Sequence, residues 1–463
     1  MEHWQNRLDE LARRHGVPGA VLGISSPGMT GVAATGVLNV RTGAPVRPDS
    51  VFHLGSITKV FVTTAVQRLV QDGRLDLDKP VSAVLPELNL GEITDRVSLR
   101  HLLTHTSGID GDVIVDTGRG DDCLARYVAQ LADVAQNSPL GATWSYCNSG
   151  FSLAGRVIEQ VTGQVWDAAM RDLVFDPLGL RDTLTLPEEA LLRSAAVGHM
   201  VEDDRTIPVR QWQLPRAIGP AGLIAATVSD VLTFARLHLD GGGELLTTSS
   251  LEQMQAEQVR VDAKYSLAET WGLGWQRFVW DGQRLIGHDG STIGQQSHLV
   301  LLPSQGLAVA LLTNRRTPHL YEDLYREIFA SVGVEMARQP VPPVTPLGLL
   351  PTDYVGVYER AGQRIEVLLS SGKPILRVTT LGKLAEYIPD PVEELPMVAL
   401  EPDVYLVPLT GSDHWLPVSF YSLADGSPYL HFCGRASALN DMPRVPRGAR
   451  SHRNGGGSGD TAN

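Results

Sequence analysis

Apolar positions at helical spacing open the chain: Trp4, Leu8 and Leu11 recur along residues 3–15, and Gly16 ends them. Two strand-like runs follow, Ala20–Ser25 and Gly31–Asn39, and a third spans Ser50 to Leu54. A long helical pattern then runs from Ser56 through Val60, Ala65, Val66 and Leu69 and stops at Asp72-Gly73. Residues 80–240 read as mostly helical, with Phe151, Leu153, Ala154, Val157 and Ile158 on one face that ends near Gly163. After Gly241-Gly242-Gly243 the pattern returns to strands, Leu307–Thr313 being strongly apolar, and a helix is predicted from about Leu320 to Ala330. A sheet built from both ends of this region, with a helical insertion between them, accommodates these elements.

At Pro340-Val341-Pro342-Pro343-Val344-Thr345-Pro346 the pattern breaks, as in an extended, semi-rigid linker. Short strand-like runs follow at Tyr354–Tyr358, Arg364–Leu369, Ile375–Thr380, Met397–Glu401, Val404–Leu409, Val418–Leu423 and Tyr429–Cys433. Turn signals such as Ser371-Gly372-Lys373-Pro374 and Asp425-Gly426 separate them, which predicts a small antiparallel barrel or sandwich. The expected division is a first domain over 1–338, a linker over 339–350, an all-β domain over 351–446 and a disordered tail over 447–463.

Composition narrows the function classes. Of 463 residues 43% are hydrophobic and 20% charged, and the net charge is −13, which argues against nonspecific binding to nucleic acid or anionic membrane. The first ten residues are acidic and polar where a secretory leader needs a basic start and an apolar block, so a cytoplasmic location is expected. The three cysteines, Cys123, Cys147 and Cys433, are too scattered for a disulfide framework.

Three motifs carry chemistry. Ser56 and Lys59 sit three apart at the start of the long helix and so share a face. A serine hydroxyl needs a base within hydrogen-bond reach, and a lysine kept neutral by burial and neighbours can be that base. Helix N-terminal N–H groups near Ser56 can steady an oxyanion. The second motif is Ser145-Tyr146-Cys147-Asn148: a phenol able to share a proton with Lys59, and an amide that donates and accepts at once. The third is Gly287-His288-Asp289-Gly290-Ser291, whose glycines let a substrate approach the backbone ahead of a strand. Taken singly, each has an ordinary reading: a helix cap with a solvated lysine, an aromatic opening a helix, a hairpin turn with a surface histidine.

Together, in this order and spacing, they resemble the serine β-lactamase and penicillin-binding superfamily, class C β-lactamases and related esterases, D-peptidases and transacylases above all. Its Ser-x-x-Lys, Tyr-x-Asn and His-x-Gly elements match Ser56/Lys59, Tyr146/Asn148 and His288/Gly290. His101-Leu102-Leu103-Thr104-His105-Thr106-Ser107-Gly108 and Gly219-Pro220-Ala221-Gly222-Leu223 are also typical of it. The resemblance implies an α/β plus all-α catalytic domain, an antiparallel sheet flanked by helices, followed by a small barrel-like domain of lipocalin-like kind. It implies that Ser56 is acylated, that Lys59 and Tyr146 share the base role, that Asn148 orients substrate, and that the N–H groups of Ser56 and Ser291 form the oxyanion hole. His288 joins them, with Asp289, Gly290 and Ser291 against the substrate.

The expected activity is cleavage of an ester or amide through a Ser56 acyl-enzyme, the acyl group passing to water or to an amine or alcohol. The alternative is a dedicated transacylase or a penicillin-binding-type thioesterase of antibiotic biosynthesis; a true β-lactamase or a non-catalytic binding protein fits less well. Partners are then a small-molecule or peptide ester or amide and an amine acceptor, with no nucleic acid, no membrane and no cofactor. Where penicillin-directed members carry Lys-Thr-Gly, this chain has His288-Asp289-Gly290, so an ionised Asp289 is expected to repel a substrate carboxylate. No metal is expected: His101 and His105 lack the glutamate of a metalloprotease helix and read as core or cap residues. Thr117-Gly118-Arg119-Gly120 is too short for a phosphate loop, and Thr227 reads as a helix cap. Cys147 reads most simply as a small buried residue.

Overall fold

Strands from both sides of the long middle region meet in one antiparallel sheet. The computed structural model describes residues 1–345, 350–382, 385 and 390–440. Helix α1 (Glu2–Arg14) precedes β1 (Gly19–Ser26) and β2 (Met29–Gly36). Far along the chain come β3 (Val259–Arg260), β4 (Thr270–Trp271), β5 (Gln276–Trp280), β6 (Gln283–Ser291), β7 (Gln296–Leu302) and β8 (Leu307–Thr313). Their order across the sheet is β2-β1-β8-β7-β6-β5-β4-β3.

β8 explains the apolar run read from the sequence. Leu307, Val309 and Leu311 pack with Leu8, Leu11 and Leu324 on one face, whereas Ala308, Ala310 and Leu312 face the helical region. A strand covered on both faces has no polar side to display. The outer layer is α1 with α5 (Pro318–Ser331); the inner layer includes α2 (Thr58–Gln71), α3 (Asn148–Thr162) and α4 (Val228–Leu239).

The expected strand at Ser50 to Leu54 shrinks to Phe52–His53, paired with Ala225–Ala226, because the chain turns sharply at Gly55 (φ +51°) into a 3-10 turn over Gly55–Ile57. The predicted cap at Thr227 is present: its side chain accepts from the Asp230 N–H and opens α4.

Beyond the proline-rich segment lies a nearly closed, barrel-like sheet of nine strands. They are β9 (Gly356–Arg360), β10 (Gln363–Ser370), β11 (Lys373–Thr380), β12 (Val392–Pro396), β13 (Val398–Glu401), β14 (Val404–Pro408), β15 (Trp415–Ser422), β16 (Pro428–Phe432) and β17 (Arg435–Asn440). The sequence reading missed β12 and β17. The tail expected over 447–463 lies outside the described residues. Among the described residues, no helix is long and apolar enough to cross a membrane.

Candidate active site

The turn at Gly55 delivers Ser56 to the N-terminus of α2, and Lys59 stands one helical turn on. Lys59 is fully buried, with Nζ 2.9 Å from Ser56 Oγ and donating to the Ala221 carbonyl at 2.5 Å. That carbonyl belongs to the Gly219–Leu223 motif, which thereby acquires a purpose. Burial, helped by the nearby positive charge of Arg435, lowers the Lys59 pKa well below the ordinary lysine value; Cys147 and Asp112 oppose the shift less strongly. A neutral amine beside a serine O–H can accept its proton.

Tyr146 closes the other side. Lys59 Nζ lies 4.8 Å from the centre of its ring. Burial pushes the phenol above its usual value, with Ser56 close enough to oppose the rise in part, although among the described residues no hydrogen bond of ordinary geometry reaches the hydroxyl. Burial thus disfavours the phenolate, and a lowered Lys59 pKa weakens the ammonium that would favour one.

The His101–Gly108 motif supports this tyrosine. His105, in a left-handed conformation (φ +59°), stacks on the Tyr146 ring at 4.3 Å and accepts the Cys147 N–H on Nδ1 at 2.9 Å. His101 caps its own short helix through Ser98. Both are core or cap residues, as read. Cys147 is buried, its thiol pushed up to about 11 by burial, and its Sγ accepts from the Gly150 N–H at the start of α3.

β6 runs against Ser56 at a distance that only glycine allows. A Cβ on Gly55 would come 2.4 Å from the Ser291 nitrogen, and one on Gly290 would come 1.9 Å from the Leu54 carbonyl oxygen. The Ser291 N–H is thereby brought beside the turn that carries Ser56. His288, on the same stretch, is buried, and its Nδ1 lies 2.6 Å from the Asp289 carbonyl. A carbonyl only accepts, so Nδ1 carries the proton and Nε2 is left as a bare acceptor without a partner among the described residues. Burial, with Lys59 adding to it, lowers the His288 pKa to about 4.

Asp289 is a correction. Its side chain projects to the opposite face of β6, where it meets His298 at 2.6 Å. There it lines a cavity of about 700 Å³ between the central sheet and the barrel, with Gln276, Phe278, Tyr321 and Leu416. Alternation along a strand puts neighbours on opposite faces, so His288 and Asp289 cannot both face Ser56. The Asp289 carboxylate therefore points away from Ser56, while its charge still bears on Tyr146 and His288.

A fixed positive charge, absent from the sequence reading, comes from the barrel. Arg435, at the start of β17, lies with its guanidinium carbon 4.8 Å from the Tyr146 ring centre. It forks onto Asp112 at 2.8 and 3.1 Å, while Arg360 of β9 reaches the same carboxylate at 2.8 Å. Burial works to raise the Asp112 carboxyl, but the two arginines outweigh it and hold it below the usual carboxylate range. Asn148 donates Nδ2 to Asp112 at 3.2 Å, so its carbonyl oxygen is the half left for a substrate. Backbone contacts tie the same hairpin down: Tyr146 N–H donates to the Gly434 carbonyl and Ala436 N–H to Ser145 Oγ. The one legible signal was Cys433-Gly434, both at positive φ, a two-residue hairpin turn.

The family model for Beta-lactamase matches residues 4–332. Penicillin-binding protein 4 of Amycolatopsis lactamdurans is 43% identical over 374 residues, covering 78% of this chain and 98% of that protein. Esterase EstB of Burkholderia gladioli is 35% identical over 192 residues, 38% of this chain and 49% of that protein. The crystal structure of SurE superposes with a TM-score of 0.76 at 28% identity, covering 95% of this chain and 98% of that one, so the likeness extends through the barrel. The match over most of the chain, together with a serine, a buried lysine and a tyrosine brought into one cleft, places this protein in the beta-lactamase family of active-site serine hydrolases.

Proposed function

We propose that the protein cleaves an ester or amide by forming an acyl-enzyme at Ser56, and the observation that carries this is the buried Lys59 amine 2.9 Å from Ser56 Oγ. Lys59 takes the hydroxyl proton as Oγ attacks the carbonyl carbon. The N–H groups of Ser56 and Ser291 stabilise the oxyanion, and proton return to the leaving group runs through Lys59 and the neutral Tyr146 phenol. Asn148 Oδ1 and His288 Nε2 hold polar hydrogens of the substrate, while Gly290 keeps the strand close. Asp289 turns its carboxylate to His298 and acts on the site through its charge alone.

A second reading, transfer of the acyl group to an amine, draws support from two observations. Lys59, Tyr146 and His288 are all buried and the barrel's Arg435 roofs the phenol, which favours a bound nucleophile over bulk water. The likeness to SurE, a protein also solved with D-Leu, runs through both sheets, so a D-residue is a reasonable acyl donor or acceptor. In this reading the segment beyond the 339–350 linker is a lipocalin-like domain over 351–446 that shapes the acceptor side, and the enzyme works in the cytoplasm. The test is intact mass spectrometry after incubation with a panel of esters, amides and a penicillin, with and without amines. An acyl adduct supports the first reading, and amide product from an added amine supports the second. No adduct on any donor, with no product, overturns both.

A further inference from the structure

The loop between β14 and β15 brings Asp413 and His414 against the first turn of α5, which carries His319. Asp413 Oδ1 lies 3.2 Å from His319 Nε2 and 3.3 Å from His414 Nδ1. Ligand atoms of all three residues fall within 4.8 Å of one another. Tetrahedral zinc with bonds of about 2.0–2.1 Å separates adjacent ligand atoms by roughly 3.3–3.4 Å. The observed spacings therefore match two edges of a zinc tetrahedron.

The surroundings favour the same use. His414 Nε2 is 2.9 Å from Glu322 Oε1, and a carboxylate only accepts, so the proton sits on Nε2. Nδ1 faces the Asp413 carboxylate, where a proton or a cation must sit between the two acceptors, and Glu322 stands behind the ring as a carboxylate commonly does at metal-binding histidines. Ser412 Oγ lies 3.0 Å from Nδ1 and accepts the His414 backbone N–H at 3.2 Å, which holds the loop in this shape. His319 is held by a parallel ring stack with His15, itself paired with Asp323 at 2.9 Å. Asp413 is largely exposed, which leaves the fourth position open to water.

We propose that His319, Asp413 and His414 bind one zinc-type divalent cation, with Glu322 orienting His414, and that the ion staples the barrel to the catalytic region. Two ligands come from the barrel and one from α5, so occupancy couples the two parts without contributing to chemistry at Ser56. The proposal is independent of the acyl-enzyme reading.

The test uses the full chain, freed of affinity tag and stripped with EDTA, titrated with zinc by calorimetry and followed by thermal denaturation. One zinc per chain and a raised Tm are expected. His319→Gln and Asp413→Asn should abolish that site, Glu322→Gln should weaken it about tenfold, and all three should keep wild-type ester turnover without zinc. Less than one zinc per chain, or unchanged binding in His319→Gln and Asp413→Asn, overturns the proposal. A Tm lowered by Asp413→Asn but unmoved by zinc in the wild type means an ion pair only, and overturns it equally.

Discussion

Arg435 lies over the Tyr146 ring at 4.8 Å although 289 positions separate the two residues (435 − 146), so the barrel supplies one wall of the cleft that holds Ser56. Its charge acts on Lys59 in the direction that keeps the amine neutral. Replacing Arg435 by Gln removes that push, so the Lys59 pKa rises. In the proposed mechanism only the neutral amine serves as base, so the acid limb of the kcat/KM profile should move to higher pH, while Arg435→Lys should leave it close to wild type. An unmoved limb in Arg435→Gln would separate the arginine from the base.

Asp112 is the counter-charge for two guanidiniums from the barrel. Asp112→Asn leaves both without it, and a loss on the order of 3 kcal/mol is expected, seen as a lowered Tm. Truncating only Arg360 should cost less, because the Arg435 fork remains.

Gly290 lets β6 lie against Leu54 and brings the Ser291 N–H beside Ser56. Gly290→Ala must move the strand, so kcat should fall about 10²-fold, the usual cost of one oxyanion donor, with the circular dichroism spectrum unchanged. Wild-type kcat in that variant would remove Ser291 from the oxyanion hole.

Four buried histidines are held neutral by desolvation: His53, His238 and His431 with pKa values of about 3, and His288 at about 4. In the unfolded chain they titrate near 6.5. A depressed native pKa means the stability is present above 6.5 and is lost as pH falls toward the native value. Each should cost about 1.4 kcal/mol per pH unit between those limits, so Tm should drop steeply between pH 6.5 and 4. A flat Tm across that window would contradict the burial of these rings as neutral groups.

The sequence revealed whatever local pattern determines. Ser56-x-x-Lys59 places its two groups on one helical face by spacing alone, and β8 betrayed itself by apolar residues on both faces. Arg435 was invisible for a physical reason: β17 reads Arg-Ala-Ser-Ala-Leu-Asn, with no β-branched or aromatic residue to mark a strand. The missed strand thus carried the missed site residue. β12 was hidden likewise by Glu393, Glu394 and Pro396. Asp289 was misjudged because a motif lists neighbours as if they shared a face, which a strand forbids. The role of Asp112 depends on charges arriving from more than 240 residues away, a relation no local pattern records.

The most direct test of the central claim is peptide-mapped mass spectrometry of acid-quenched enzyme during turnover of p-nitrophenyl acetate. The account predicts an acetyl group on the peptide bearing Ser56, absent in Ser56→Ala and strongly reduced in Lys59→Met. Acetyl found on another residue, or turnover persisting at the wild-type rate in Ser56→Ala, would contradict it.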